Sequence, residues 1–290
     1  MRLADRFGEG VFLGARDATD DELQGAHAPE YLELVKRECA ALGRARYLST
    51  GDVVIDDASL AVARRAAGGA IVAVENAVST GAPTFALVRP PGHHAEAKAG
   101  MGFCLFNNAA IAARAHLQAH GGRVLVVDFD YHHGNGTQDV AGKGLSYVST
   151  HAHPAYPGTG ARSFDLGDRN EIVNVPLPVS GVSTEAFVAT WERLLPAVAR
   201  RIQPTMLVIS AGFDYVKGDP VGDLGVDVDA ATHLASVINA TAAEHDAQVA
   251  YILEGGYDIG ALTESIAQIV TATDAKRTAG SGADGHSSLA

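Results

Sequence analysis

Cysteine and long apolar runs are scarce in this sequence. Its 290 residues include only two cysteines, Cys39 and Cys104, which form no CxxC pair. This excludes a disulfide framework or a cysteine-rich structural zinc site and favours a reducing compartment, so we expect a cytoplasmic protein. No window contains the roughly 18 consecutive apolar residues of a membrane span, and the N-terminus lacks a basic-then-apolar signal pattern. We therefore expect no membrane partner.

Basic residues are also few. Lys and Arg total 22 against 34 Asp and Glu, which gives a net charge of -12. This balance argues against a nucleic-acid partner, because phosphate binding needs clustered basic side chains, and it leaves cationic substrates open. The sequence contains neither GxxxxGK[ST] nor a post-strand GxGxxG, so nucleotide phosphates and nicotinamide cofactors are not expected.

Hydrophobic residues make up 47% of the chain, enough for one large α/β domain or two modest ones. Short apolar runs alternate with amphipathic stretches, and this predicts strands at 83–88, 124–128, 145–150, 172–177, 205–211 and 248–253. Such alternation implies a mainly parallel central sheet with helices on both faces. We place the domain at 1–274 and expect the small, polar segment 275–290 to be a disordered tail.

The stretch 124–139, VLVVDFDYHHGNGTQD, joins a buried strand to a polar loop. Asp128, Asp130 and His132 follow one another at i, i+2 and i+4, so on an extended backbone they lie on one side. Carboxylates and imidazole suit zinc and similar divalent metals. Taken alone, the cluster could equally be a solvated strand end.

Chemically reactive residues follow four other predicted strands as well. They are the adjacent His93 and His94, then Tyr156, Asp214 and Tyr257. In open α/β sheets, ligands bind outside the carboxyl ends of the strands, so these loops should meet at one edge. Two adjacent histidines alone would more often be a solvated loop, and the convergence of five loops favours a site.

The residue types at this edge match metal-assisted hydrolysis. Asp130, His132 and Asp214 supply three ligands and leave an open position, which is the catalytic arrangement of zinc. The pair His93 and His94 is suited to proton transfer. Tyr257, on a Gly-Gly turn, is suited to hold an oxyanion.

Six motifs together resemble the zinc-dependent histone deacetylase family. They are RPPGHHA, GFCLFNNAAIA, VDFDYHHGNGT, STH…YPGTG, SAGFDYVKGDPVGDLG and LEGGYD, spread in family order between residues 23 and 269. The resemblance is closer to the class II and bacterial branch, which includes acetylpolyamine amidohydrolases. It implies an arginase/deacetylase-like three-layer sandwich with one zinc ion per chain.

The resemblance also implies a role for each matched residue. Zinc would be bound by Asp130, His132 and Asp214. His94 would act as general base and then acid, while His93 would be mainly electrostatic. Asp128 would be the partner of His93 and Asn135 that of His94, and Tyr257 would donate to the oxyanion.

The substrate pocket and a second cation follow from the same resemblance. Phe103 and Tyr156 would form the walls of an acyl-chain tunnel, with Gly102 at its rim and Gly256 beside the substrate. Val221 stands where polyamine-specific branches carry an acidic gatekeeper. Potassium would be bound by Asp128, Ser149 and the main-chain oxygens of Asp130 and His132.

Relative to the family, the segment before Asp20 is short, so one rim loop should be reduced. The favoured interpretation is a zinc amidohydrolase that removes acetyl or another short acyl group from an acylated lysine peptide or a small acetylated amine. An acetylpolyamine-specific enzyme, a dinuclear manganese ureohydrolase and a non-catalytic acyl-lysine binding module are the alternatives. A homo-oligomer stays open.

Overall fold

The computed structural model describes residues 2–41 and 45–280. Its strands are β1 (Arg46–Tyr47), β2 (Val54–Ile55), β3 (Thr84–Ala86), β4 (Val124–Asp128), β5 (Leu145–Ala152), β6 (Phe164–Gly167), β7 (Asn170–Leu177), β8 (Met206–Ala211) and β9 (Gln248–Leu253). Its α-helices are α1 (Leu3–Phe7), α2 (Asp20–Gln24), α3 (Pro29–Ala40), α4 (Ser59–Thr80), α5 (Asn108–His120), α6 (Asn135–Asp139), α7 (Thr184–Ile202), α8 (Ala230–His245) and α9 (Ile259–Gly280).

The central sheet has seven strands in the order β3-β9-β8-β4-β5-β7-β6. Its strands pair in parallel, with β6 joined to β7 in the antiparallel direction at the edge. All residues of β4 are buried, as expected for a Val-rich strand with both faces covered. The predicted mainly parallel α/β fold is confirmed.

Alternate residues of the strands enter two separate cores. Val124 and Val126 pack in one core with residues of α3, α4 and α5. Leu125 and Val127 pack in the other, with residues of α7, α8 and α9. Since side chains alternate across a strand, this partition places helices on both faces of the sheet and produces three layers.

Several short elements differ from the sequence prediction. The hairpin of β1 and β2, the edge strand β6 and the helix α1 had not been expected. The last helix, α9, continues to Gly280, beyond the predicted domain end at residue 274. Residues 281–290 of the predicted tail lie outside the described residues.

Within the described residues, none of the helices combines the length and apolar character that crossing a bilayer requires.

The sheet order places five site-bearing strands side by side. The strands β3, β9, β8, β4 and β5 are consecutive neighbours, and all five run in parallel. Their carboxyl ends therefore share one edge. The loops that leave this edge carry the residues that the sequence singled out.

Candidate metal centre and active site

Three side chains converge beyond the ends of β4 and β8. Ligand atoms of Asp130, His132 and Asp214 all lie within 4.8 Å of one another. β4 and β8 are direct neighbours with Asp128 opposite Ser210, so the residues that follow each strand meet. Both carboxylates are fully buried and His132 is half-buried. The pairing of β4 with β8 therefore brings the three predicted metal ligands into one compact cluster, which does not include Asp128.

Backbone N–H groups fix the orientation of these carboxylates. Asp130 accepts from the N–H of His132 at 2.8 Å and from that of Gly255 at 2.9 Å. Asp214 Oδ1 accepts from Tyr131 N at 2.9 Å. The other oxygen, Asp214 Oδ2, is buried and has no hydrogen-bond donor among the described residues. Nδ1 of His132 lies 2.9 Å from it, but without the alignment of a hydrogen bond.

The charges of the cluster fit a cation. Burial lowers the pKa of His132, but hydrogen bonding to Asp130 and the negative charge of Asp214 outweigh it and raise the pKa to about 10. Burial and the neighbouring Asp130 raise the pKa of Asp214 above its ordinary value. Both shifts show that this pocket favours added positive charge. The cluster therefore offers two carboxylates and one imidazole, and Oδ2 of Asp214 accepts no hydrogen bond from the described residues. This is a suitable ligand set for a divalent ion such as zinc.

The two histidines of the loop after β3 lie beside this cluster. The rings of His93 and His94 are 4.1 Å apart between centroids, and both side chains are buried. His93 Nδ1 lies 3.1 Å from a carboxylate oxygen of Asp128, and His94 Nδ1 lies 2.8 Å from Asn135 Oδ1. The structure thus brings together both pairs named in the sequence analysis.

The environment shifts the pKa values of the two histidines in opposite directions. Burial lowers the pKa of His93, but Asp130 and Asp128 outweigh it and hold the pKa well above the usual value. Burial lowers the pKa of His94, and the charge of His93 lowers it further. The surroundings therefore favour the charged form of His93 and the neutral form of His94.

Asp128 and Ser149 lie directly opposite each other on β4 and β5. Asp128 accepts from Tyr147 Oη at 2.9 Å and from the N–H of Asp130 at 3.1 Å. Ser149 Oγ lies 2.9 Å from His151 Nδ1. Both residues are buried.

The cluster opens into a cavity of about 310 Å³. Its wall includes the sequence-predicted residues His93, His94, Gly102, Phe103, Asp130, His132, Tyr156, Val221 and Tyr257. Asp128, Asn135 and Asp214 are buried and do not line the cavity. Gly256, predicted to lie beside the substrate, does not line it either, and the preceding residue Gly255 does.

The outer and inner parts of the cavity differ in exposure. At the mouth, Phe103, Tyr156 and Val221 keep 60%, 40% and 44% of their surface exposed. Gly102 has a φ of +55°, and a Cβ there would lie 2.3 Å from Cδ2 of His94, so only glycine fits. The Tyr257 ring lies 6.1 Å from that of Phe103, and burial raises the pKa of its hydroxyl above the ordinary value.

Two acidic residues at the site had not been singled out in the sequence. Asp52 accepts from Gly102 N at 2.8 Å and from Tyr156 Oη at 3.0 Å, and it lines the cavity. It follows no predicted strand, so it carried no signal. Glu254 is buried and accepts from the N–H groups of Gly92 and His93, at 2.6 and 3.0 Å.

Glu254 also accepts from Ser210 Oγ at 3.1 Å. Burial raises the pKa of Glu254 to about 7. Its carboxylate ties the loop of the two histidines to the ends of β8 and β9. Its position inside the LEGGYD motif was the only sequence signal that could have drawn attention to it.

The fold and the site together define an α/β domain with a group of candidate metal ligands and an imidazole pair at the carboxyl ends of its strands, an arrangement typical of metal-dependent hydrolases. A histone deacetylase domain model matches residues 2–273. The chain therefore belongs to the histone deacetylase domain family.

Individual relatives agree with this assignment. Histone deacetylase 15 of Arabidopsis thaliana is 36% identical over 275 residues, which covers 90% of this chain and 49% of that protein. Polyamine deacetylase HDAC10 of Homo sapiens is 37% identical over 273 residues, covering 89% and 40%. The crystal structure of the HDA15 HD domain superposes with a TM-score of 0.85 at 33% identity, over 94% of this chain and 79% of that one. The chain spans about half the length, or less, of these two full-length relatives.

Proposed function

We propose that this protein is a zinc-dependent amidohydrolase that removes acetyl or another short acyl group from an amine. The observation that carries the proposal is one cavity whose wall combines Asp130 and His132 of the metal-ligand cluster with the pair His93 and His94 and with Tyr257. A pure binding site would need neither a proton-transfer pair nor a hydroxyl donor beside the metal. The family membership supports the same reaction.

Asp130, His132 and Asp214 would hold one zinc ion per chain. When bound, this ion supplies Lewis acidity toward the amide carbonyl and toward a water molecule. The protein shields these ligands from water by burying them. It orients the two carboxylates with hydrogen bonds from the backbone N–H groups of His132, Gly255 and Tyr131.

His94 takes the proton from the attacking water and returns it to the leaving amine. A neutral imidazole is required for the first transfer, and the lowered pKa of His94 supplies it. His93 stays charged beside Asp128 and favours the negative charge that develops on the substrate carbonyl. Tyr257, whose raised pKa keeps its hydroxyl protonated, donates to that oxygen.

The substrate enters between Phe103 and Tyr156. Aromatic walls at a narrow mouth suit an aliphatic acyl-amine chain. Val221 is apolar, which favours an acyl-lysine side chain over a polycation at this rim. A small acetylated amine is the second candidate, because one relative is named a polyamine deacetylase and Asp52 places a carboxylate at the mouth.

Potassium is part of the proposal as a second cation. Asp128 and Ser149 lie opposite each other on β4 and β5, and both are buried. Their oxygens lie where the segment that carries Asp130 and His132 leaves the sheet. Together with main-chain oxygens of Asp130 and His132 they would form an all-oxygen site. Such ligands suit a hard cation.

The test is acetate release from an acetyl-lysine peptide, with Tyr257→Phe as the matched variant. The change keeps the ring and removes one donor, so kcat should fall by about 10²–10³-fold while the peptide still binds. A trifluoroacetyl substrate, whose carbonyl is already activated, should suffer less. Binding of the acetyl peptide without any acetate release by the wild type would overturn the proposal in favour of a binding module.

A further inference from the structure

One buried carboxylate joins two of the loops that shape the cavity. Asp219 is only 7% exposed and accepts from four backbone N–H groups. Its Oδ1 accepts from Val221 at 2.9 Å and from Gly222 at 3.1 Å. Its Oδ2 accepts from Tyr257 at 2.7 Å and from Asp258 at 3.1 Å. The acceptor capacity of a carboxylate matches this set of donors.

The two segments that Asp219 joins are far apart in the sequence. One leaves β8 and carries Val221 to the mouth of the cavity, and the other leaves β9 and carries Tyr257 to its inner wall. Residues 254–258 form neither helix nor strand, so no regular hydrogen-bond ladder fixes the backbone at Tyr257. Asp219 supplies the acceptor for the N–H of this residue. The direction in which the Tyr257 ring leaves the backbone therefore depends on Asp219.

Asp219 does not itself reach the reacting groups. It is not among the residues that line the cavity, and it is not one of the clustered metal-ligand candidates in the described chain. Any influence on hydrolysis must therefore pass through the backbone that it holds. Charge-assisted hydrogen bonds to backbone N–H groups are among the stronger ones, so this anchor is expected to be stiff.

We propose that Asp219 is a positioning residue for Tyr257. It fixes the backbone from which the Tyr257 side chain projects, so that the hydroxyl lies within hydrogen-bonding distance of the oxyanion. The inference rests on the proposed function, in which Tyr257 donates to that oxyanion. Through its hydrogen bonds to Val221 and Gly222, the same carboxylate also fixes the mouth of the cavity relative to the Tyr257 hydroxyl. Because a misplacement of about 1 Å can cost on the order of 10²-fold in rate, a loosened anchor should reduce turnover more than substrate binding.

The test is a double-mutant cycle with Asp219→Asn and Tyr257→Phe. Asparagine has a single acceptor oxygen and so cannot serve both loops. In the wild-type background, Asp219→Asn should lower kcat on an acetyl substrate by about tenfold or more, with KM changing much less. In the Tyr257→Phe background the same change should alter kcat by less than about twofold, since the donor it positions is gone.

Two further readouts separate positioning from a general structural effect. Zinc content should be unchanged in Asp219→Asn, and its loss of kcat should be smaller on a trifluoroacetyl substrate, as for Tyr257→Phe. The control is Asp223→Asn, which removes a charge from the same loop. Asp223 is a partly exposed residue with a φ of +87°, a conformation that asparagine tolerates, so near-wild-type kcat is expected.

The outcomes are distinguishable. Equal losses of kcat from Asp219→Asn in both backgrounds would overturn the positioning role and leave the proposed function intact. A Tyr257→Phe enzyme with unchanged kcat would overturn the oxyanion role of Tyr257, and the positioning role with it. If Asp219→Asn does not fold, Asp219→Glu, which keeps the charge and shifts the oxygens, enters the same cycle with the same expected coupling.

Discussion

At the scale of single residues, the role of His94 depends on which ring nitrogen carries its hydrogen. Asn135 Oδ1 lies 2.8 Å from His94 Nδ1, and the amide nitrogen of Asn135 donates to Glu96 at 2.8 Å, which fixes the orientation of the amide. Because an amide oxygen only accepts, Nδ1 is the donor and Nε2 keeps its lone pair. This is the tautomer that a general base needs.

The variant His94→Ala is therefore expected to lose turnover and keep its metal. General acid–base groups typically contribute about 10²–10⁴-fold, so kcat should fall within that range. Zinc content by elemental analysis should match the wild type, because His94 is not in the ligand cluster. The exposed His120, changed to Ala, is the control and should have no effect. A His94→Ala enzyme with more than about a third of wild-type kcat would refute the assignment.

What the sequence reveals about single residues depends on what they bind. The i, i+2, i+4 spacing of Asp128, Asp130 and His132 predicted that all three side chains lie on one side of an extended backbone. Asp130 and His132 do meet, together with Asp214, but β4 ends at Asp128 and the side chain of Asp128 pairs with His93 instead. Asp52, Glu254 and Asp219 were not predicted because their partners include backbone N–H groups 38 to 162 residues away. A backbone N–H carries no residue identity, so a sequence pattern cannot reveal such a contact.

At the scale of elements, one buried histidine joins three parts of the fold. His27, between α2 and α3, donates from Nδ1 to the carbonyl oxygen of Glu96 in the loop after β3, at 3.0 Å. Its Nε2 accepts from the N–H of Asn107, the residue that caps α5, at 2.9 Å. Only a neutral imidazole can donate at one nitrogen and accept at the other.

Stability should therefore fall in mild acid. Burial lowers the pKa of His27 to about 4, while a histidine in the unfolded chain has a pKa of about 6.5. Between these values the unfolded chain binds a proton that the folded chain excludes, so the stabilisation is complete above pH 6.5 and is lost as the pH falls towards 4. The shift corresponds to about 3 kcal/mol in the free energy of unfolding.

Urea unfolding at pH 7.5 and pH 4.5 measures this contribution. The wild type should lose more stability between the two conditions than His27→Gln, which lacks the titrating group. The exposed His120→Gln should behave like the wild type. Equal pH dependence in the wild type and in His27→Gln would show that the histidine is not held neutral.

Most of the strands that the sequence predicted are long or fully buried, and the exception, β3, has three residues within the predicted range 83–88. β9 spans Gln248–Leu253, the predicted range, because its residues form a continuous apolar run between helices. The hairpin of β1 and β2 was missed because each strand has only two residues. β6 was missed because it has only four residues, all of them exposed, so its short Phe-Asp-Leu-Gly alternation forms no buried face.

At the scale of the whole molecule, the order of strands in the sheet creates the site. β9 is last in the chain, yet it lies between β3 and β8. This insertion places Tyr257 between the loop of the two histidines and the loop of Asp214. The alternation of strands and helices predicted that the site residues lie at one edge of the sheet. It did not predict the order of the strands, because that order depends on pairing between strands that are far apart in the sequence. Compartment, oligomeric state and the effect of the short N-terminal segment stay predictions.

We propose that these strand ends assemble an amidohydrolase that depends on one metal ion. The most direct measurement is acetate release from an acetyl-lysine peptide by chelator-stripped protein, titrated with zinc. We expect no turnover without metal and full turnover at one equivalent of zinc per chain. Turnover that survives complete metal removal, or that requires two equivalents of manganese and releases urea from a guanidino substrate, would contradict it.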